Sequence, residues 1–118
     1  MTPLHRLTTS LAREGWRTPD SYTGCFGSIP DSSGVYLLDC VDLELYKSKI
    51  YYVGQARSLV RRLNGHEILA LLRRHPAGFF VRRWFRLFDV AELRKVERSY
   101  IEFFDPPYNI IGRLRGHV

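Results

Sequence analysis

A β-rich run that meets a glycine and passes at once into an arginine-bearing helix constrains this chain more than any other stretch. The segment Ile50–His66 reads IYYVGQARSLVRRLNGH. Ile50 to Val53 are β-branched and aromatic, the composition of a short strand. Gly54 is expected to end that strand. Ser58 stands where a helix N-cap belongs, ahead of Leu59, Val60, Arg61, Arg62 and Leu63. A strand that delivers Tyr52 to a turn, followed by this helix, brings a phenol and a guanidinium together. The helix N-terminus is also expected to hold open N–H groups for an anion.

The rest of the chain supplies elements that can surround this unit. Thr2-Pro3 ahead of Leu4, Leu7, Leu11 and Ala12 predicts a capped amphipathic helix, with Gly15 after its end. That helix would pack on a sheet or on a partner. Residues 16–33 are rich in turn formers and read as loop, pinned by Trp16, Tyr22 and Phe26. Gly34–Cys40 is a strand with Tyr36 and Leu38 on one face and Val35, Leu37 and Asp39 on the other. An extended hairpin would join it to the Tyr52 strand and bring both phenols to one face. The helix begun at Ser58 is expected to continue through His66 to Arg74 and break at Pro76–Gly78. Phe79–Phe88 is a third strand. Asp89-Val90-Ala91-Glu92 reads as a capping box for a helix carrying Leu93, Val96, Tyr100, Ile101 and Phe104, which Pro106 and Pro107 stop. The fold class is α/β, a small antiparallel sheet of about three strands flanked by helices, with an extra N-terminal helix.

With 118 residues the chain has room for one core. No apolar run is long enough for a membrane helix and no signal peptide is visible, so a cytoplasmic location is expected. Cys25 and Cys40 lack CxxC spacing and read as two thiols rather than a zinc site. Charge is uneven. Between Arg57 and Arg98 eleven Lys and Arg face four Asp and Glu, a net of +7, whereas the first 56 residues carry five against six, a net of −1. Fifteen of the eighteen basic residues are arginine, whose planar fork suits phosphate oxygens. A basic middle of this kind is a nucleic-acid footprint or a solvated surface.

Five short motifs in order resemble the GIY-YIG nucleases. Gly34-Val35-Tyr36 resembles the first half of the signature and Tyr52-Val53-Gly54 the second. Arg62 follows Gly54 by eight residues and His66 follows four later. Glu97 and Asn109, the latter in Asp105-Pro106-Pro107-Tyr108-Asn109, match the distal acid and asparagine. The resemblance is nearest to the amino-terminal nuclease half of the bacterial excision-repair subunit UvrC. His66 fits the homing-endonuclease branch, and Gln55 stands where UvrC-like sequences commonly carry lysine. The resemblance sets residues 29–111 as the nuclease domain, 1–28 as a helix-and-loop extension and 112–118 as a basic tail.

The resemblance implies a divalent-metal-dependent endonuclease acting on DNA, or on RNA. Tyr36, Tyr52, Arg62, His66 and Glu97 would be catalytic, with Glu97 holding Mg²⁺ or Mn²⁺. Arg57, Arg61, Arg73, Arg74 and Asn109 would meet nucleic acid, with Asn109 also bracing the site, and Gly34 and Gly54 would shape the backbone. Each residue has a plainer reading. Glu97 can be a rim carboxylate paired to Arg94, Arg98 or Arg62, the tyrosines half-buried strand residues, and His66 a helix-end histidine on a carbonyl. Tyr36, Tyr52 and His66 all stand as candidates for the general base. The competing functions are a nucleic-acid-binding module without catalysis and a subunit docked to a partner, or a dimer, through the N-terminal helix.

Overall fold

The computed structural model describes residues 1–20, 25–74 and 79–109. Tyr22, the break at Pro76–Gly78 and the tail 112–118 lie outside the described residues. In chain order the elements are α1 (Pro3–Arg13), β1 (Gly34–Asp42), β2 (Lys47–Ala56), α2 (Leu59–Asn64), α3 (Glu67–Leu72), β3 (Phe79–Leu87), a 3₁₀ turn at Val90–Glu92 and α4 (Leu93–Phe104). The strands form one antiparallel sheet in the order β2-β1-β3. Among the described residues no helix is long and apolar enough to cross a membrane.

Because β1 is central, Gly34 to Val41 are buried on both faces. Val35 and Leu37 face a cluster with Leu11 of α1, Trp16, Trp84 and Leu93 of α4. Tyr36, Leu38 and Cys40 face a cluster with Leu59 and Leu63 of α2 and Leu69 and Leu72 of α3. Two helices therefore cover each face. The apolar residues of α1 are used here: Leu7, Leu11 and Ala12 pack on the sheet. Leu11, Trp16 and Cys25 of the 1–28 segment are thus part of the core. Trp16 is buried and meets Tyr100 edge-on at 5.2 Å, whereas Phe26 is 61% exposed and does not pin the loop. Cys25 and Cys40 are buried in different clusters and no disulfide joins them.

β2 departs from strict alternation. Ile50 and Val53 both enter the α1/α4 cluster although they stand three positions apart, which strict alternation would put on opposite faces. A bulge resolves this: Asp39 pairs with Ile50 and Leu38 with Tyr52, leaving Tyr51 as the extra residue. Tyr51 and Tyr52 then both pack on the α2/α3 side. The hairpin turns on Asp42, whose Oδ1 accepts from the N–H groups of Glu44 and Leu45, and on Tyr46 in the left-handed region at φ 49°.

Two helix ends differ from expectation. Thr2 caps α1 as read, accepting from His5 N–H at 3.1 Å. The Asp89–Glu92 capping box does not form: Asp89 makes no side-chain cap bond, and a 3₁₀ turn leads into α4. The helix begun at Ser58 does not run on to Arg74 but stops at Gly65, and α3 starts anew behind His66.

The uneven pattern of β3 has an electrostatic cause. Arg82 turns into the α1/α4 side and grips the buried Asp39 with Nη2–Oδ2 at 2.6 Å, donates to Thr8 of α1 at 2.8 Å, and lies 4.9 Å over the Trp84 ring. Arg83 pairs with Asp20 at 2.9 Å. Burial pushes the Asp39 carboxyl up and Arg82 pulls it back. Removing one member of such a pair leaves a buried charge alone. Asp39→Ala is expected to lose about 3–5 kcal/mol in urea denaturation, while Asp39→Leu with Arg82→Met recovers most of it. Equal losses in the single and double variants would show that the pair is not the source.

Candidate functional site

Tyr36, Tyr52, Arg62, His66 and Glu97 come together where β1, β2, α2, α3 and α4 meet. Tyr36 lies on β1 opposite Gly54 of β2, and Tyr52 sits opposite Leu38 on the same face. The two phenol rings are 6.1 Å apart. His66 stands edge-on to both, 5.3 Å from the Tyr36 ring and 5.0 Å from the Tyr52 ring.

Gly54 does not end β2, which continues to Ala56. Its role is to make room: a Cβ there would meet the Tyr36 ring carbons and hydroxyl closer than the 3.0 Å that real Cβ atoms keep. Gly34 is equally confined, since a Cβ would strike the Arg86 carbonyl and Leu59. Both glycines are sites of close approach rather than turns.

His66 caps α3, and the cap determines its chemistry. Nδ1 accepts from Ile68 N–H at 3.0 Å and therefore carries no proton. The neutral ring then bears its proton on Nε2, which lies 2.6 Å from Tyr36 Oη and donates to it. Burial, with the Arg62 charge adding to it, pushes the His66 pKa down to about 4. The ring is thus a neutral hydrogen-bond donor with neither nitrogen available as a base. It is an N-cap, not the helix-end histidine on a carbonyl that the sequence allowed.

The phenols differ in setting. Burial pushes Tyr36 far up, Tyr52 adds to the rise, and Arg62 opposes it. Tyr36 is 1% exposed, whereas Tyr52 is only half-buried. Burial raises Tyr52 too, with Arg62 and a hydrogen bond from Tyr36 lowering it. His66 Nε2–H thus donates to Tyr36, and the Tyr52 ring lies alongside at 6.1 Å. Glu97, half-buried on α4, is near enough for its charge to raise both phenols. Glu67 was not singled out from sequence. It acts on Tyr52, Arg62 and His66, and the helix interruption at Gly65 that puts it in the first turn of α3 is what hid it.

Asn109, expected to meet nucleic acid and to brace the site, is buried against β2. Its Oδ1 accepts from Val53 N–H at 2.8 Å and its Nδ2 donates to Val53 C=O at 2.7 Å. The amide thus closes the outer edge of β2 as a neighbouring strand would, between Tyr52 and Gly54. Its bracing role is the one the geometry supports.

The α2 N-terminus is likewise closed to anions. Leu59 N–H bonds Ser32 C=O at 3.0 Å, Val60 N–H bonds Pro30 C=O at 3.2 Å and Arg61 N–H bonds Ser58 Oγ at 3.4 Å. Arg57, Arg61, Arg73 and Arg74 are exposed, and Arg62 is half-buried. The basic stretch is less uniform than its composition implies, because Arg82 and Arg83 are held in ion pairs with acids from the first part of the chain.

Among the described residues no group of three or more His, Cys, Asp and Glu side chains is gathered as for a metal. A hard ion that keeps several waters needs only one or two carboxylates plus substrate phosphate. Glu97 beside the phenols fits that requirement. In comparisons with protein-family models, curated proteins and solved structures, no match was found.

Two outcomes follow from this geometry. The depressed His66 pKa means that the unfolded chain takes up the proton first. Stability is therefore full above about pH 6.5 and falls as pH drops toward about 4, by up to about 2–3 kcal/mol. His66→Asn, which keeps a cap acceptor, is expected to flatten that limb in denaturation curves measured from pH 7 to 4.5. Asn109→Ala leaves the Val53 N–H and C=O unbonded and is expected to cost about 2–3 kcal/mol. Asn109→Asp, which sets an oxygen against the Val53 carbonyl, should not rescue it; full rescue would show that only the N–H bond matters.

Proposed function

We propose that the chain is a divalent-metal-dependent endonuclease of the GIY-YIG type that hydrolyses phosphodiester bonds, with DNA as its substrate. The observation that carries this reading is the gathering of two phenols and a histidine, with His66 Nε2 2.6 Å from Tyr36 Oη and the Tyr52 ring 6.1 Å from the Tyr36 ring, near enough to the Arg62 guanidinium and the Glu97 carboxylate for both charges to act on the phenols. Residues that match the family motifs in order along the chain are thus neighbours in space, with chemistry suited to a phosphate.

The roles divide by exposure and charge. Tyr52 is the phenol that a strand outside the molecule can reach, so it orients or deprotonates the attacking water. Tyr36, sealed from solvent, packs beside Tyr52 and is itself held by His66. Arg62 stabilises negative charge gathering on the phosphate, an effect worth about 3 kcal/mol for a well-aimed donor. Glu97 would hold Mg²⁺ or Mn²⁺, which when bound supplies neutralisation of the phosphate and leaving oxygen. His66 is a positioning residue.

The test is cleavage of single-stranded, duplex, flap and junction DNAs and of RNA, with Mg²⁺, Mn²⁺ or EDTA. Metal-dependent nicking of at least one DNA is expected. Glu97→Gln should reduce it by more than the about 100-fold that loss of a merely supporting partner costs. Cleavage by Glu97→Gln at the wild-type rate would falsify the metal assignment. With both phenols raised, the rate should climb from neutral toward alkaline pH without a limb near 6.5, because His66 stays neutral down to about 4. Tyr52→Phe is the cleaner probe of the base. Tyr36→Phe also strands the His66 Nε2–H and should cost about 1–3 kcal/mol of stability. An inactive Tyr52→Phe that melts like the wild type supports the assignment, and an active one overturns it.

A further inference from the structure

We infer that the outer face of α4 is a second phosphate-backbone surface, which takes the nucleic-acid strand as it leaves the catalytic centre. The inference rests on the nucleolytic reading and adds the path of the substrate.

Helix α4 has two chemically distinct sides. Leu93, Val96, Tyr100, Ile101 and Phe104 pack inward on the α1/α4 cluster. On the opposite side a shallow groove of ≈ 380 Å³ is lined by Ala91, Arg94, Lys95, Arg98, Ser99 and Glu102. Three cations thus surround one carboxylate, and the small side chains of Ala91 and Ser99 leave space between them. An adjoining groove of ≈ 400 Å³ adds Arg86 beside Lys95 and Ser99. The arginines of β3 show what an engaged cation looks like in this protein, since Arg82 and Arg83 each hold an acid. Among the described residues Arg94, Lys95 and Arg98 hold none.

This surface is continuous with the site. Glu97 lies three residues after Arg94, so the two are about 60° apart around the helix and about one turn apart along it. Glu97, four residues from both Leu93 and Ile101, is half-buried on the inward side, where its charge reaches both phenols. Arg94 and Arg98 are exposed on the solvent side of it. A strand whose scissile phosphate is at Glu97 therefore meets Arg94 and Arg98 next, while Arg57 and Arg61 lie beyond the phenols on the α2 side. Two guanidinium forks and an ammonium suit phosphate oxygens. An acidic protein is the poorer fit, because protein interfaces are anchored by aromatic side chains, the Arg94–Arg98 groove is lined by none, and Phe88 and Tyr100 of the adjoining groove are packed against the α1/α4 cluster.

The experiment is fluorescence polarisation with a labelled duplex and the matching labelled single strand, using the full chain carrying Glu97→Gln so that nothing is cleaved. Salt is varied. Arg94→Gln/Lys95→Gln/Arg98→Gln is compared with Arg57→Gln/Arg61→Gln in the same background. The α4 triple variant should lower the slope of log K against log salt by about 2–3 on duplex, and weaken low-salt binding at least about tenfold. The substituted side chains are exposed, so the melting temperature should hold. Should the triple variant unfold, Arg94→Gln and Arg98→Gln singly carry the test, each expected to remove about one unit of slope. An unchanged slope in the α4 variant, with weakened binding in the α2 variant, overturns the inference and leaves the nucleolytic reading standing. Binding of neither oligonucleotide at low salt overturns both. Competition by polyglutamate as strong as by an unlabelled oligonucleotide of equal charge also overturns the inference, and marks the face as one for acidic protein.

Discussion

Burial of β1 on both faces obliges every polar side chain on it to find a partner within the protein. A hydroxyl or carboxylate sealed from water without a hydrogen bond costs several kcal/mol. β1 carries two such groups, Tyr36 and Asp39, pointing to opposite faces. Asp39 is answered by Arg82 of β3 and, through it, by Thr8 of α1. Tyr36 is answered by His66 at the head of α3. One pair fastens the α1 side of the sheet and the other the α3 side. The same constraint thus yields a structural ion pair on one face and a candidate site on the other.

The candidate site is rigid for reasons that lie outside it. Gly54 admits the Tyr36 ring, regular alternation from Gly54 to Tyr52 puts the second phenol on the same face, and Asn109 clamps the backbone of Val53 between them. His66 is held at both ring nitrogens, so its tautomer is set by the α3 cap rather than by solvent. Side chains held this way need little reorganisation when a charged ligand arrives, which is the condition under which fixed dipoles stabilise developing charge best. The low basicity of His66 is a consequence of that fixation. A ring buried beside Arg62, with one nitrogen accepting from the backbone, has no easy place for a second proton.

The basic character of the chain separates into two kinds. Arginines of β3 face acids contributed by the loop before β1 and by β1 itself, and they act as core and edge fasteners. Arg61 of α2, Arg73 and Arg74 behind α3, and Arg94, Lys95 and Arg98 of α4 are exposed. Counting charge along the chain merges these groups, although only the second is available to an outside partner.

The sequence by itself determined the elements whose signals are local. Periodic apolar residues and the Thr2-Pro3 cap placed α1, β-branched and aromatic runs placed the three strands, and Ser58 placed the start of α2. Motif order also picked out the side chains that the fold gathers, because spacing along strand and helix is short-range geometry. What only the tertiary structure decided depends on contacts between distant segments. The extension's place in the core required the pairing of Trp16 with Tyr100. The true reason for Gly54 required Tyr36 across the sheet. The closure of the α2 N-terminus required the carbonyls of Pro30 and Ser32. The restart of the helix at His66 required a buried phenol for that histidine to meet. No local pattern marks these, since each is fixed by a partner many residues away whose position exists only once the chain has folded.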